Sequence, residues 1–250
     1  MLSPFPPETL TTDLSLSKTD AAQTAVHVSE LPSAALLHFS EPRRAAFGAA
    51  AFLVSVPVFF QAPLVRLWPH LSLVLGGVLL LTGWQMMRSP AQRLWGDLTV
   101  GFSWTWLAGT LYWGWFRWEP LVHLPMEALA LPVVAVLLYL NRAKVGSYFY
   151  LGSLTGTVLT DLYFYWTDLI PYWRQLMQVE PAQVGAVLHA ACMVLQNSEA
   201  VLKGGILLSC LILLGTLPLT RSQAHWWAFA GAVLSTILVD ALFLLSAVLA

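Results

Sequence analysis

The chain has 250 residues; 58% are hydrophobic, only 10% are charged, and the formal net charge is −1. A soluble domain carries about 25% charged residues, whereas here the apolar residues gather into runs near the roughly twenty that cross a bilayer. The near-neutral balance excludes the basic surface of a nucleic-acid-binding protein.

The first stretch differs from the rest. "PFPPETLTTDLSLSKTDAAQTAVHVSELPS" (Pro4 to Ser33) is rich in Ser, Thr, Pro and acids. It lacks the basic-then-apolar order of a secretory signal, and its composition predicts a disordered tail over residues 1–42. A short amphipathic piece at Ala34 to Phe39 is expected to touch the membrane surface.

The remainder, 43–250, reads as an all-α transmembrane helix bundle. Apolar runs place spans at about 45–63, 70–87, 98–116, 121–140, 146–166, 203–219 and 226–247. Basic pairs set their direction. Arg43 and Arg44 precede the first span, Arg88 and Arg93 follow the second, and Arg142 and Lys144 follow the fourth. All fall on one side, which the positive-inside rule makes cytoplasmic, so the N-terminus is cytoplasmic. The opposite loops hold only Arg66, Arg117 and Arg174.

Residues 167–202 read as an interfacial segment. Tyr172 and Trp173 suit the headgroup level. Within 182–199 the apolar run Val184 to Leu195 is short for a span. His189, Gln196, Glu199 and Lys203, spaced by seven, three and four, form one stripe on a helix. Kept outside, this segment leaves seven spans and a C-terminus on the non-cytoplasmic side. If it crosses, there are eight.

Ionisable residues inside lipid are the functional signal, because they are costly and tend to face a cavity, pair, or relay protons. Asp161 lies about 7–8 Å below the outer end of the fifth span, and Glu127 about 9 Å below the outer end of the fourth, at 1.5 Å per residue. In the seven-span arrangement Asp240 reaches a similar depth, roughly 10 Å below the outer interface. His123, four residues before Glu127, shares its helix face. The expected site is an acid-lined pocket of His123, Glu127, Asp161 and Asp240 that handles a proton, an ion or a small solute. The bland alternative is that each acid only holds helices together through hydrogen bonds. Gly152 and Gly156 form a GxxxG that permits close helix contact.

Among the aromatic residues, Trp113, Trp115 and Trp118 fit an interfacial belt. Trp104 and Trp106 lie deeper, as gap fillers whose N–H groups reach carbonyls or as contacts to a pigment or quinone. His189 reads as a satisfied polar residue and Glu199–Lys203 as an i,i+4 ion pair. Cys192 and Cys210 are expected to be buried thiols. No CxxCH, P-loop, GxGxxG, GxSxG or HExxH pattern is present, so no cofactor or metal is implied and an enzyme is not indicated.

At "RWEPLVHLPMEALALP" and "KVGSYFYLGSLTGTVLTDLYFYWTDLIPYWRQLMQVEP" the chain resembles a family of multi-pass membrane proteins of unknown function known from cyanobacteria. The resemblance covers residues 45–250 and assigns no site residue. It implies a bacterial inner or thylakoid membrane. It also offers a second reading, a non-catalytic accessory that assembles a photosynthetic membrane complex. The partners expected are therefore the lipid bilayer and either such a complex or further copies of the chain, with no nucleic acid.

Overall fold

The structure is a computed structural model that describes residues 33–249, with side chains described from Pro42 onward. Most of the tail expected at 1–42 lies outside the described residues, as do the side chains of the amphipathic piece at 34–39. The chain divides into two units, Met1–Ser40 and Glu41–Ala250, and the second holds the helix bundle.

Every regular element described is helical, and no strand occurs among the described residues. Four segments are long and apolar enough to cross a membrane: Pro42–Leu67, Pro120–Tyr139, Ser198–Thr220 and Ala224–Leu249. The protein is an all-α membrane protein. Three further helices, α3 (Pro69–Met86), α4 (Arg93–Leu111) and α7 (Lys144–Trp166), have 18, 19 and 23 residues. At 1.5 Å per residue they reach about 27–35 Å, close to a bilayer core, but they carry more polar side chains.

Prolines decide where the apolar runs break. The run expected at 45–63 is two helices, α1 (Ser33–Ser55) and α2 (Pro57–Leu67). Pro57 opens α2 because its missing N–H costs nothing at a first helical position. The run expected at 121–140 is interrupted more often. A 3₁₀ turn at Pro120–Val122 leads into the single turn α5 (His123–Glu127), then a second 3₁₀ turn at Ala128–Ala130, then α6 (Leu131–Tyr139). Pro120 opens the first turn, and Pro125 and Pro132 each remove a ladder donor within the stretch, which explains its division.

Past α7 come the short helices α8 (Ile170–Leu176) and α9 (Val184–Leu195). The bundle closes with α10 (Ser198–Thr216) and α11 (Ala224–Leu249). The single stripe expected through His189, Gln196, Glu199 and Lys203 is not formed. The chain leaves the helix at Asn197, whose extended backbone and side-chain oxygen cap α10 instead. Glu199 and Lys203 therefore belong to α10, where they pair at 2.7 Å, while His189 stays exposed on α9.

α4 packs between α3 and α7, and α11 runs along α7 with α10 on its flank. Their shared core is Leu98, Phe102, Trp106, Phe149, Ala228 and Ala232, joined by Ala46 and Ala50 of α1. Small residues let the backbones touch, as lipid-embedded helices require when no hydrophobic drive separates helix from solvent. A Cβ on Gly101 would collide with the backbone of Gly146. The GxxxG of α7 faces α11: a Cβ on Gly152 would lie 2.6 Å from the Phe229 carbonyl oxygen, and one on Gly156 would run into Thr236.

Several polar groups inside the bundle bond to one another across helices. The Gln61 amide donates to the Trp106 carbonyl at 2.7 Å and to Thr110 Oγ1 at 3.1 Å. Ser72 and Thr110 share a hydrogen bond of 2.7 Å, and Trp106 Nε1–H donates to the Ser72 carbonyl at 3.0 Å. Trp106 is thus a packed structural residue. Trp104 lies against Ala130, Val134 and Tyr150, and its buried Nε1 has no partner.

Candidate functional site

Three of the four polar residues singled out in the sequence, His123, Glu127 and Asp161, come together, and Asp240 does not join them. His123 Nδ1 lies 2.9 and 3.0 Å from the two carboxylate oxygens of Asp161 on α7. Its Nε2 lies 4.0 Å from Glu127 Oε1, one turn along on α5. Each ring nitrogen therefore faces a carboxylate from a different direction. Asp161 is only 3% exposed, and the His123 and Glu127 side chains are each 12% exposed. Asp161 points into the bundle.

The local backbone sets this up. The proline-broken segment turns α5 so that His123 and Glu127 present one face. Tyr150, fully buried on α7, donates its hydroxyl to the Glu127 backbone carbonyl at 2.6 Å and pins the turn that comes after it. Irregular backbone at membrane depth is tolerated where it lines such a polar site. At the end of α4 a single π turn, Tyr112–Phe116, offsets the register and aims Tyr112 and Trp113 at the imidazole. Such bulges recur at functional sites.

Aromatic rings wall the histidine. Ring centroids of Tyr112, Trp173 and Trp113 lie 4.4, 5.6 and 6.2 Å from that of His123. Trp113 and Trp173 stack at 6.0 Å with planes 12° apart, and Phe164 backs Trp173 at 5.3 Å. The Arg117 carbonyl accepts from Trp173 Nε1–H at 3.2 Å and from the Tyr112 hydroxyl at 3.4 Å. Arg174, next to Trp173, pairs with Glu119 at 2.7 Å. Glu119 also caps the turn at Pro120 by accepting the Leu121 N–H at 3.2 Å. These contacts hold its carboxyl below the ordinary range, the Arg174 hydrogen bond first and the Leu121 amide second.

Asp240 of α11 meets a different face of α7. It accepts from Thr160 Oγ1 at 2.8 Å, one residue before Asp161, and no hydrogen bond joins it to His123. It shares the level of Asp161 but not its partners. His70 and Trp115 pair elsewhere, at 5.5 Å. Cys192 and Cys210 are free and only half-buried. Among the described residues no group of three His, Cys, Asp or Glu is arranged to hold a metal.

A family of proteins of unknown function, DUF3120, matches residues 50–248. The chain belongs to this family. No curated protein and no solved structure matches it. Family membership therefore fixes kinship and leaves the chemistry to be read from the site.

The aromatic partners were not foreseen as part of that site. The sequence suggested a belt role for Trp113 and Trp173, and interfacial position indeed gives no sign of which way a ring turns. Arg174 and Glu119 carried a usable signal: opposite charges on two loops expected on the same side. Chemically, the set can hold an imidazole in one tautomer. With Nδ1–H donated to Asp161, Nε2 becomes the position that takes up or gives a proton, and it faces Glu127.

Proposed function

We propose that the protein binds and passes a proton, or a proton-linked ion, through His123, Asp161 and Glu127. One observation carries this reading: a histidine with a carboxylate toward each ring nitrogen, enclosed by three aromatic rings, in a helix bundle fit for a membrane. Asp161 fixes the tautomer and stabilises imidazolium. Glu127 stands where the exchangeable proton arrives or leaves. Asp240, hydrogen-bonded to Thr160 beside Asp161, is assigned as a nearby acid that adds to the field on α7.

The bundle is assigned to a bacterial inner or thylakoid membrane, with the N-terminus cytoplasmic, because Arg43, Arg44, Arg88, Arg93, Arg142 and Lys144 would share that side. With α9 kept at the interface, seven segments cross and the site opens toward the non-cytoplasmic face. At 12 residues, α9 reaches about 18 Å, well short of the core thickness.

The test is proton flux into vesicles holding the purified protein and a trapped pH dye, driven by an imposed pH step. Wild type collapses the gradient faster than empty vesicles, and Asp161→Asn abolishes the difference. Equal rates for wild type and empty vesicles sink the proposal. The accessory reading rests on the resemblance alone; a stoichiometric pigment–protein partner retained in mild detergent would put it first.

A further inference from the structure

Helix α8 touches both the His123 site and a second opening. On one face it carries Trp173 and Arg174. On the other, Tyr172 and Gln175 line a cleft of about 600 Å³ that Trp166, Asp168, Glu199 and Lys203 complete. The cleft is open, and Asp168, Gln175, Asn197, Glu199 and Lys203 give it polar walls. A helix of seven residues thus carries a ring against the imidazole on one face and lines an open cleft on the other.

α8 rests against α9 and the turn at Pro120–Val122, and its side-chain hold on the His123 site runs through two neighbouring residues. Trp173 supplies the wall against His123, stacks on Trp113, and donates one hydrogen bond to the Arg117 carbonyl. Arg174 supplies one exposed ion pair to Glu119. None of α8 is fully buried. Before it, the backbone passes through Asp168 at φ 54°, a left-handed position that reverses the chain between α7 and α8. After it, Val179 and Glu180 lead to Pro181. A short helix that follows a left-handed residue, and whose hold on the site runs through the single side chain of Trp173 and one surface pair, can tilt as a unit if Trp173 leaves its ring contacts with Trp113, His123 and Phe164. Exposed ion pairs are weak enough to open thermally.

We propose that α8 is a gate over the His123–Asp161–Glu127 site, with Trp173 as its plug and Glu119–Arg174 as its latch. It opens the site toward the cleft. This rests on and deepens the proton-exchange reading, since a proton-exchanging histidine needs controlled access to water. Trp173 and the latch are positioning residues: they set how often the imidazole meets solvent and take no proton themselves.

The test uses the full chain in lipid nanodiscs and diethylpyrocarbonate, which acylates unprotonated imidazole. Labelling of His123 is followed by peptide mass spectrometry across pH, with exposed His189 as internal standard. The high-pH plateau rate reads access, and the midpoint reads proton affinity. Wild-type His123 should label well below His189. Glu119→Gln and Arg174→Gln should raise its plateau rate about two- to fivefold, the range an exposed ion pair controls. The swapped pair Glu119→Arg/Arg174→Glu should restore slow labelling, and Trp173→Ala should remove protection. The latch is overturned if the single variants leave the plateau unchanged or if the swap does not restore it. The gate is overturned if wild-type His123 already labels as fast as His189, or if the variants move only the midpoint. Because labelling needs no flux, a protein that gates but moves no protons loses the functional reading and keeps this one.

Discussion

Asp97 and Gly146 meet twice. The Asp97 carboxylate accepts the Gly146 N–H at 2.8 Å and the neighbouring Val145 N–H at 3.0 Å, while the Gly146 α-carbon presses on the Asp97 carbonyl with no room for a side chain. A residue of α4 thus performs the N-cap of α7. The chain needs this because Ala143, the residue before α7, is in the left-handed region at φ 46° and offers no side-chain cap. The carboxylate satisfies orphan amides and lies at the positive end of the α7 dipole.

Asp97→Ala should therefore destabilise the bundle by about 1–3 kcal/mol, the cost of leaving buried donors unsatisfied. Asp97→Asn keeps an oxygen acceptor and should cost less than Asp97→Ala. Thermal unfolding in mild detergent reads both. Equal melting of Asp97→Ala and wild type would show that the cap carries no stability.

Gly146→Ala addresses the other half of that contact. Its methyl group has only backbone to displace, and overpacking of this kind costs about 1–3 kcal/mol or more. Gly77→Ala in α3 is the control, because nothing lies within 4 Å of its added Cβ; it should be neutral or stabilising by helix propensity. Similar melting of the two variants would remove the close α4–α7 approach as a stabilising feature.

The apolar runs were legible because lipid leaves backbone polar groups no partner except their own helix. Residues 70–87, 146–166 and 226–247 accordingly match α3, α7 and α11 to within a few residues. Where proline interrupts, length alone misled: Pro57 splits the first run and Pro125 shapes the fourth. Asp97 went unnoticed because hydropathy starts the third span one residue later, although an acid opposite the "NRAK" turn is a capping candidate. His123 with Glu127 followed from i,i+4 spacing. The bond from His123 to Asp161 is tertiary, and no period in the sequence encodes it; the matched depths of Glu127 and Asp161, with His123 on the Glu127 face, only bring them near. The split of Asp240 from that group is likewise a matter of helix face, since Thr160 and Asp161 point different ways from adjacent positions.

The Glu119–Arg174 pair should show a defined pH dependence. The folded-state carboxyl is held below its ordinary value of 4.5 by the Arg174 hydrogen bond and the Leu121 amide. A depressed pKa means that the pair stabilises fully above the unfolded value and loses that contribution as pH falls through the folded one. The stability difference between wild type and Glu119→Gln should be constant from neutral pH down to about 5 and shrink as pH drops below the ordinary glutamate range. Chemical denaturation across pH measures it. A difference that grows on acidification would reverse the assignment.

The His123–Asp161 contact changes what a substitution at Asp161 can reveal. An apolar replacement in a helix bundle is often benign, but here it would strand a buried imidazole N–H. Asp161→Leu should cost about 1–3 kcal/mol for that reason. Asp161→Asn retains an oxygen that accepts from Nδ1–H and should melt near wild type. His123→Leu combined with Asp161→Leu removes both partners and should recover part of the loss, because paired apolar replacement can be nearly neutral. With His123→Leu alone measured as the second single variant, the coupling from this cycle isolates the contact from the packing around it. Proton flux should vanish in all four variants, including the stable Asp161→Asn, since the amide cannot stabilise imidazolium as a carboxylate does. Flux that survives in Asp161→Asn would make the pair a helix tie with no part in proton transfer. Additive melting losses would show instead that His123 and Asp161 contribute independently, and that the site is held by its aromatic walls.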